Sequence, residues 1–199
     1  MYNHGKIVRR MGMARTRRIW SPEHYDHVVI RGNNRQKIFG KAEDVFYWFH
    51  ILEDIYHEHS FTVAAYCVMT NHVHLLIRSP EEPLSTIMMK LNKRYSTYFK
   101  RKYGYSGHLY EKRYFAKMAK GTRALLDISA YIHRNPIRTN PPMVHLMEEY
   151  PYSSYYLIKE GIKPAFEFVD YTPLIATVLG QTAEEYCCYC EKGFEQMGK

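Results

Sequence analysis

Along the chain, apolar residues switch between a two-residue and a three-to-four-residue period, and the switches mark the elements. HVVIRGNN, residues 27–34, reads as a strand running into a Gly-Asn turn. In AEDVFYWFHILEDIYHEH, residues 42–59, Val45, Phe46, Phe49, Leu52 and Ile55 recur at helical spacing. FTVAAYCVM, residues 61–69, is β-branched and aromatic; Thr70-Asn71 then turns the chain, and HVHLLIR, residues 72–78, predicts a second strand in hairpin with the first. After SPEEP a long helix is predicted from Leu84 to about Tyr103. Its stripe includes Ile87, Leu91, Tyr95 and Tyr98, and its opposite side carries much of a basic cluster. GHLYEKRYFAKMA, residues 107–119, predicts another strand with long aromatic and basic side chains. GTRALLDISAYIHRNP, residues 121–136, is an amphipathic helix starting near Thr122 and ended around Pro136. Beyond Asn140 the prolines make the pattern irregular, and a peripheral extension is expected.

Strand, helix, strand, strand, helix, strand is the order of a split βαβ unit. The expected fold class is α+β: a ferredoxin-like βαββαβ core with an antiparallel sheet and helices on one face, plus a further tyrosine-bearing helix and a C-terminal extension. The expected organisation is a basic N-terminal arm over 1–24, a core domain over 25–140 and the extension over 141–199. Such a fold hosts RNA-binding modules, enzymes and ligand sensors, so it does not by itself give a function.

Composition narrows the classes. The hydrophobic fraction of 46% is ordinary for a globular protein and excludes a disordered chain, and 199 residues suffice for a substantial core. No apolar run approaches the roughly 18–20 residues that span a bilayer, and the basic N-terminus lacks the apolar stretch of a secretory signal. A cytoplasmic location, in association with the nucleoid, is therefore expected, with no membrane partner. The formal net charge of +8 suits a polyanion. The basic residues cluster, one group being Arg9, Arg10, Arg15, Arg17 and Arg18, another Lys90, Lys93, Arg94, Lys100, Arg101 and Lys102. Nineteen tyrosines and nine phenylalanines offer rings for stacking on unpaired bases, although most will be ordinary core or surface aromatics. Of the four cysteines, Cys67 lies in an apolar run. Cys187, Cys188 and Cys190 lack the second Cys or His pair that a zinc site requires.

The stretch AAYCVMTNHVHLLIRSP, residues 64–80, holds two histidines one residue apart in an apolar run. On a strand, residues two apart point the same way, so His72 and His74 project together while Val73, Leu75 and Ile77 face the core. Two neutral imidazoles so placed can chelate a divalent ion if a third ligand joins them. Tyr131 and Asn135, four apart on the last helix, share a helical face and can supply a nucleophile beside a ligand. The residues alone favour plainer roles: hydrogen-bonded strand histidines, a core tyrosine, and a helix-capping asparagine.

Five stretches together resemble a family. NHVHLL resembles the histidine-hydrophobe-histidine strand of the Y1 single-strand DNA transposases of the HUH superfamily, more narrowly of the REP-associated tyrosine transposases, and YIHRNPIR resembles their catalytic-tyrosine helix. VVIRGNNRQKIF is similar to their first strand and turn, GHLYEKRYF to their last core strand, and EYPYSSY to their C-terminal segment. The stretches run from about residue 25 to 156 in the family's order. Two features depart from the family pattern: Thr70 stands where a proline commonly precedes the Asn-His-Val-His run, and TNPP follows NPIR.

The resemblance implies a nucleophile at Tyr131 and metal ligands at His72, His74 and Asn135. It implies a divalent metal, Mg²⁺ with Mn²⁺ as the alternative, and single-stranded or hairpin DNA as partner. The activity it implies is nicking and rejoining of one strand at a short imperfect palindrome through a 5′-phosphotyrosine linkage. Candidate DNA contacts are Arg31 and Asn33 at the first strand and turn, Lys90, Lys93 and Arg94 on the basic helix, and Arg113. A homodimer is possible, in which the tyrosine helix would complete the partner's site. Two other readings stay open: a non-catalytic single-strand-binding module of the same fold, and a metal-dependent hydrolase that activates water in place of tyrosine.

Overall fold

The computed structural model describes residues 20–192; the arginine group Arg9, Arg10, Arg15, Arg17 and Arg18 lies outside the described residues. The core elements are β1 (Asp26–Arg31), α1 (Ala42–Glu58), β2 (Thr62–Val68), β3 (His72–Arg78), α2 (Leu84–Tyr103), β4 (Phe115–Met118) and α3 (Gly121–Arg134). Three short helices follow: α4 (Tyr155–Lys159), α5 (Thr172–Ile175) and α6 (Ala183–Lys192). The strands form one antiparallel sheet in the order β2-β3-β1-β4, with β1 and β3 central. That is the ferredoxin-like arrangement expected from the element order.

The period-two alternation of the central strands sorts their side chains. Val28 and Ile30 of β1 and Val73, Leu75 and Ile77 of β3 enter one core with Trp48, Leu52 and Ile55 of α1 and Ile87, Leu91 and Tyr95 of α2. The α1 stripe loses one expected position and gains two. Phe46 is exposed, while Trp48 and Ile51 are buried in its place, because at about 100° per residue Phe46 turns away from the Val45–Leu52–Ile55 line. α2 spans its expected limits and ends at Gly104, whose φ of +61° is the left-handed conformation that glycine adopts without steric cost.

β4 is much shorter than the stretch expected over 107–119. Its pairing with β1 begins only at Phe115, opposite Val29, and Tyr114 just before it is buried in the same core that Ala116 packs against. Residues 107–114 instead run as a loop past the end of β1, tied by Asn33 N–H to Leu109 O (2.8 Å) and Glu111 N–H to Arg31 O (3.0 Å).

The opposite face of the sheet is not open along its whole width. α3 and the 141–192 segment cover its β2 side with a second core, in which Ala65, Cys67 and Leu76 meet Leu126, Ala130, Tyr150, Tyr155, Leu174 and Tyr186. The extension is thus packed rather than peripheral. It also occupies the outer edge of β2: Val68 N–H donates to Tyr152 O (2.9 Å), Ser154 N–H to Tyr66 O (3.0 Å), and Val63 N–H to Phe168 O (2.7 Å). An edge strand with unpaired donors and acceptors invites intermolecular pairing, and these segments remove that opportunity. His133 is buried within this second core, hydrogen-bonded to Ser154 Oγ (2.9 Å) and Tyr186 OH (3.1 Å), a structural role. Cys187 and Cys190 are buried in the same core. The buried Arg134 guanidinium donates to Cys190 O and to Tyr189 O, satisfying carbonyls near the end of α6.

Candidate active site

The antiparallel register of the two central strands assembles the site. His72 lies opposite Arg31, His74 opposite Val29, and Leu76 opposite His27. Directly opposed residues project from the same face, so His27, Val29 and Arg31 share the side of His72 and His74. α3 crosses that face from Gly121 and sets the Tyr131 ring edge-on to both imidazoles, 5.5 Å from His74 and 5.8 Å from His27 between centroids. Tyr131 keeps 41% of its surface exposed, so its hydroxyl can meet a ligand from solvent. The tyrosine reaches the histidines of its own chain.

Both strand histidines are held at Nδ1. His72 Nδ1 lies 2.6 Å from Asn71 Oδ1, which can only accept, so His72 carries its proton there and presents a lone pair at Nε2. Asn71 is in turn fixed by donating Nδ2–H to Arg35 O at 3.1 Å. His74 Nδ1 lies 2.9 Å from His27 Nε2. Burial, and then the nearby Arg31, lowers the His72 pKa to about 4. Burial together with His72, His27 and Arg31 lowers that of His74 to about 2. His27 falls to about 4 through burial and the charge of Lys117. At neutral pH all three rings are therefore uncharged, the form in which imidazole ligates metal.

Asn135 sits at the C-cap of α3. Its Nδ2 donates to Tyr131 O (2.8 Å) and Ile132 O (3.2 Å), which directs its carbonyl oxygen away from the helix carbonyls. The capping role and an oxygen available for a ligand are thus compatible in one residue. Among the described residues no three His, Cys, Asp or Glu side chains converge to hold a metal ion. A metal ion held by His72 and His74 would therefore take a donor of another kind, and an amide oxygen is one such donor. Two neutral nitrogens and a neutral oxygen fit a divalent cation that must keep its charge for a phosphate.

A cleft of about 620 Å³ opens at this point, lined by His27, His74 and Tyr131 and by the cations Arg31, Lys112 and Lys117. Asp127, one turn before Tyr131, also lines it, but its carboxylate already accepts from Arg123 Nε (3.0 Å) and from the Tyr189 hydroxyl. A second groove of about 870 Å³ runs between α2 and the 107–114 loop and brings together Asn33, Lys93, Lys100, Lys112 and Arg113. Of the expected DNA contacts, Asn33, Lys93 and Arg113 thus meet in one groove and Arg31 lies in the histidine cleft. Lys90 and Arg94 point elsewhere and pair with Glu58 at 2.6 and 2.5 Å.

The family model for IS200-like transposases matches residues 21–135, which take in the whole of β1 through α3 and all five residues His27, His72, His74, Tyr131 and Asn135. The chain belongs to the IS200-like transposase family. A solved structure described as a REP-associated tyrosine transposase bound to a REP hairpin has the same fold. It superposes with a TM-score of 0.62 over 80% of this chain and 94% of that one, at 17% sequence identity. A search of curated proteins returns no match. No helix among the described residues of this transposase-family chain is long and apolar enough to cross a membrane.

His27, Lys112 and Lys117 line this cleft, and the sequence pattern singled out none of them; His27 is the one in contact with a candidate ligand. The signal was present in HVVIR: if Val28 and Ile30 face the core, His27 and Arg31 must face the cleft. β1 lies directly beside β3, as in the ferredoxin-like order, and this brings the two histidine-bearing faces together.

Proposed function

We propose that the protein is a metal-dependent single-stranded DNA transposase that nicks and rejoins hairpin-bearing DNA through a tyrosine-linked intermediate. The observation that carries this reading is the seating of the exposed Tyr131 ring against His74, in a cleft rimmed by Arg31, Lys112 and Lys117. His72 and His74, with Asn135, would hold Mg²⁺ or Mn²⁺. When bound, the ion supplies positive charge to a non-bridging phosphate oxygen and to the departing 3′ oxygen. Arg31 and the cleft lysines hold the phosphodiester near the tyrosine. The Tyr131 oxygen bonds to phosphorus as the P–O3′ bond breaks; the phenolic proton is given up and the leaving oxygen ends as a 3′ hydroxyl. The linkage keeps the energy of the original phosphodiester, so a 3′ hydroxyl can later attack it and rejoin the strand without a nucleotide cofactor.

The test is a denaturing gel of the protein with Mn²⁺ and labelled single-stranded hairpins from the flanks of its own gene. A slow, protease-sensitive adduct that disappears with EDTA supports the proposal. Hairpin binding with no adduct and no cleavage favours a binding module instead.

The groove between α2 and the 107–114 loop would hold the hairpin by its phosphates, which position DNA without reading it. Lys93 and Arg113 are exposed there. Replacing both by alanine is expected to weaken hairpin binding and flatten the slope of log K against log salt by about 1.4–1.8, at roughly 0.7–0.9 per lost phosphate contact. Lys90→Ala, which removes a partner of Glu58, is expected to change the slope much less. Titrations at several salt concentrations check this, and equal slopes for all three proteins would take the groove out of the DNA interface.

A further inference from the structure

We infer that His27 is a positioning residue that fixes the tautomer of His74, and so decides which nitrogen His74 can offer to a metal ion. The inference rests on the proposed metal site at His72 and His74. Its geometric basis is the 2.9 Å contact between His27 Nε2 and His74 Nδ1.

Of two neutral imidazoles in such a contact, one donates and one accepts. If His74 donates from Nδ1, its Nε2 carries a lone pair. If His27 donates, the proton of His74 must sit on Nε2, and that nitrogen cannot ligate. The partner of His72 leaves no such choice, because Asn71 Oδ1 cannot donate. A matched pair of Nε2 ligands on β3 therefore requires His27 to act as acceptor. A ligating histidine whose other nitrogen is held by a fixed partner is the usual way in which a protein orients the ring and sets its basicity.

The surroundings hold His27 for this task. β1 is a central strand hydrogen-bonded on both sides, so the backbone beneath the ring is rigid. The two rings lie edge to edge in nearly parallel planes, with centroids 5.2 Å and planes 19° apart, as an N–H···N bond between imidazoles requires; Phe115 stands edge-on to His27 at 6.4 Å and Tyr131 at 5.8 Å. His27 thus touches both the proposed ligand and the proposed nucleophile.

Two substitutions separate its functions. His27→Phe keeps a ring against Phe115 and Tyr131 but cannot accept a hydrogen bond. His27→Gln can place an amide oxygen near the position of Nε2. Two readouts are used without DNA or turnover: Mn²⁺ affinity by electron paramagnetic resonance, and the His74 tautomer from ¹⁵N chemical shifts, assigned by the signal lost in His74→Gln. The expected results are an Nδ1–H tautomer for His74 in the wild type and its loss in His27→Phe. Mn²⁺ affinity is expected to fall about 10–100-fold in His27→Phe and to recover largely in His27→Gln. An Nε2–H tautomer for His74 in the wild type overturns the inference, as does a His27→Phe protein with unchanged tautomer and affinity. If the wild type binds no Mn²⁺, the metal reading fails, while the tautomer measurement still decides the role of His27. If His27→Phe does not fold, the wild-type tautomer and the His27→Gln affinity decide between the two outcomes.

Discussion

Tyr131→Phe is expected to abolish the covalent protein–DNA product, and with it strand cleavage, by about 10⁴-fold or more, the scale on which loss of a nucleophile acts. Hairpin binding should be retained. The substitution removes one oxygen and leaves the ring, so the edge-on contacts to His27 and His74 persist. Because the side chain is 41% exposed, no buried partner loses a hydrogen bond, and stability should change by no more than about 0.5 kcal/mol. Wild type and variant are compared on the same denaturing gel with the same metal and hairpin, and their melting curves are recorded alongside. Cleavage by both proteins without an adduct would mean that water is the attacking group, and Tyr131 would then be only a wall of the cleft. That outcome would leave the metal proposal standing, since His72 and His74 serve either chemistry.

How much of this was legible in the sequence follows from which interactions are local. The parity of His72 and His74 against Val73, Leu75 and Ile77 is a property of neighbouring residues on one strand, and the structure places both sets as that parity requires. The limits of α2 follow from a clear apolar stripe and a terminal glycine. Phe46 and the 107–114 stretch misled because hydrophobicity alone does not say on which side of a helix a residue falls, or when a strand loses its neighbour. Asn34 and Arg35 adopt positive φ after Gly32, closing the turn that ends β1. Once that strand ends, the 107–114 chain has only scattered bonds to make there. The packing of residues 141–192 was hidden for a related reason: its short helices have little periodicity of their own and are set by the face they cover. The contact of His27 with His74 spans 47 residues; the expected fold puts β1 beside β3, but the register that sets Val29 opposite His74 is contained in neither strand's local pattern.

The largest expected effect on stability is at Asp44, far from the chemistry. Its side chain is fully buried, yet it remains ionised because five donors surround it. Oδ2 accepts from the Gly40 and Lys41 N–H groups (both 2.9 Å) and from Tyr103 OH (2.7 Å); Oδ1 accepts from Lys102 Nζ (2.7 Å) and Tyr98 OH (3.0 Å). Burial alone would raise its pKa, but the bonds from Lys102, Tyr103, Lys41 and Tyr98 outweigh it and hold the group at about 2. One carboxylate thereby clamps the start of α1 to the end of α2, the helical layer that backs the sheet and so supports the cleft. Asp44→Asn keeps the size but turns an N–H pair toward groups that can only donate or prefer to. The cost should be about 3 kcal/mol, in the range for breaking a buried charge pair, which lowers Tm by roughly 6–12 °C in a protein of this length. The pH dependence identifies the cause. A carboxylate whose pKa is depressed by folding stabilises the protein above its unfolded value, near 3.9, and that contribution is lost as pH falls toward 2. The Tm gap between wild type and Asp44→Asn should therefore be widest from pH 5 upward and close between about pH 4 and 2. A gap that stays constant down to pH 2 would show that the variant is weakened by packing, and that the charge of Asp44 contributes nothing to the clamp.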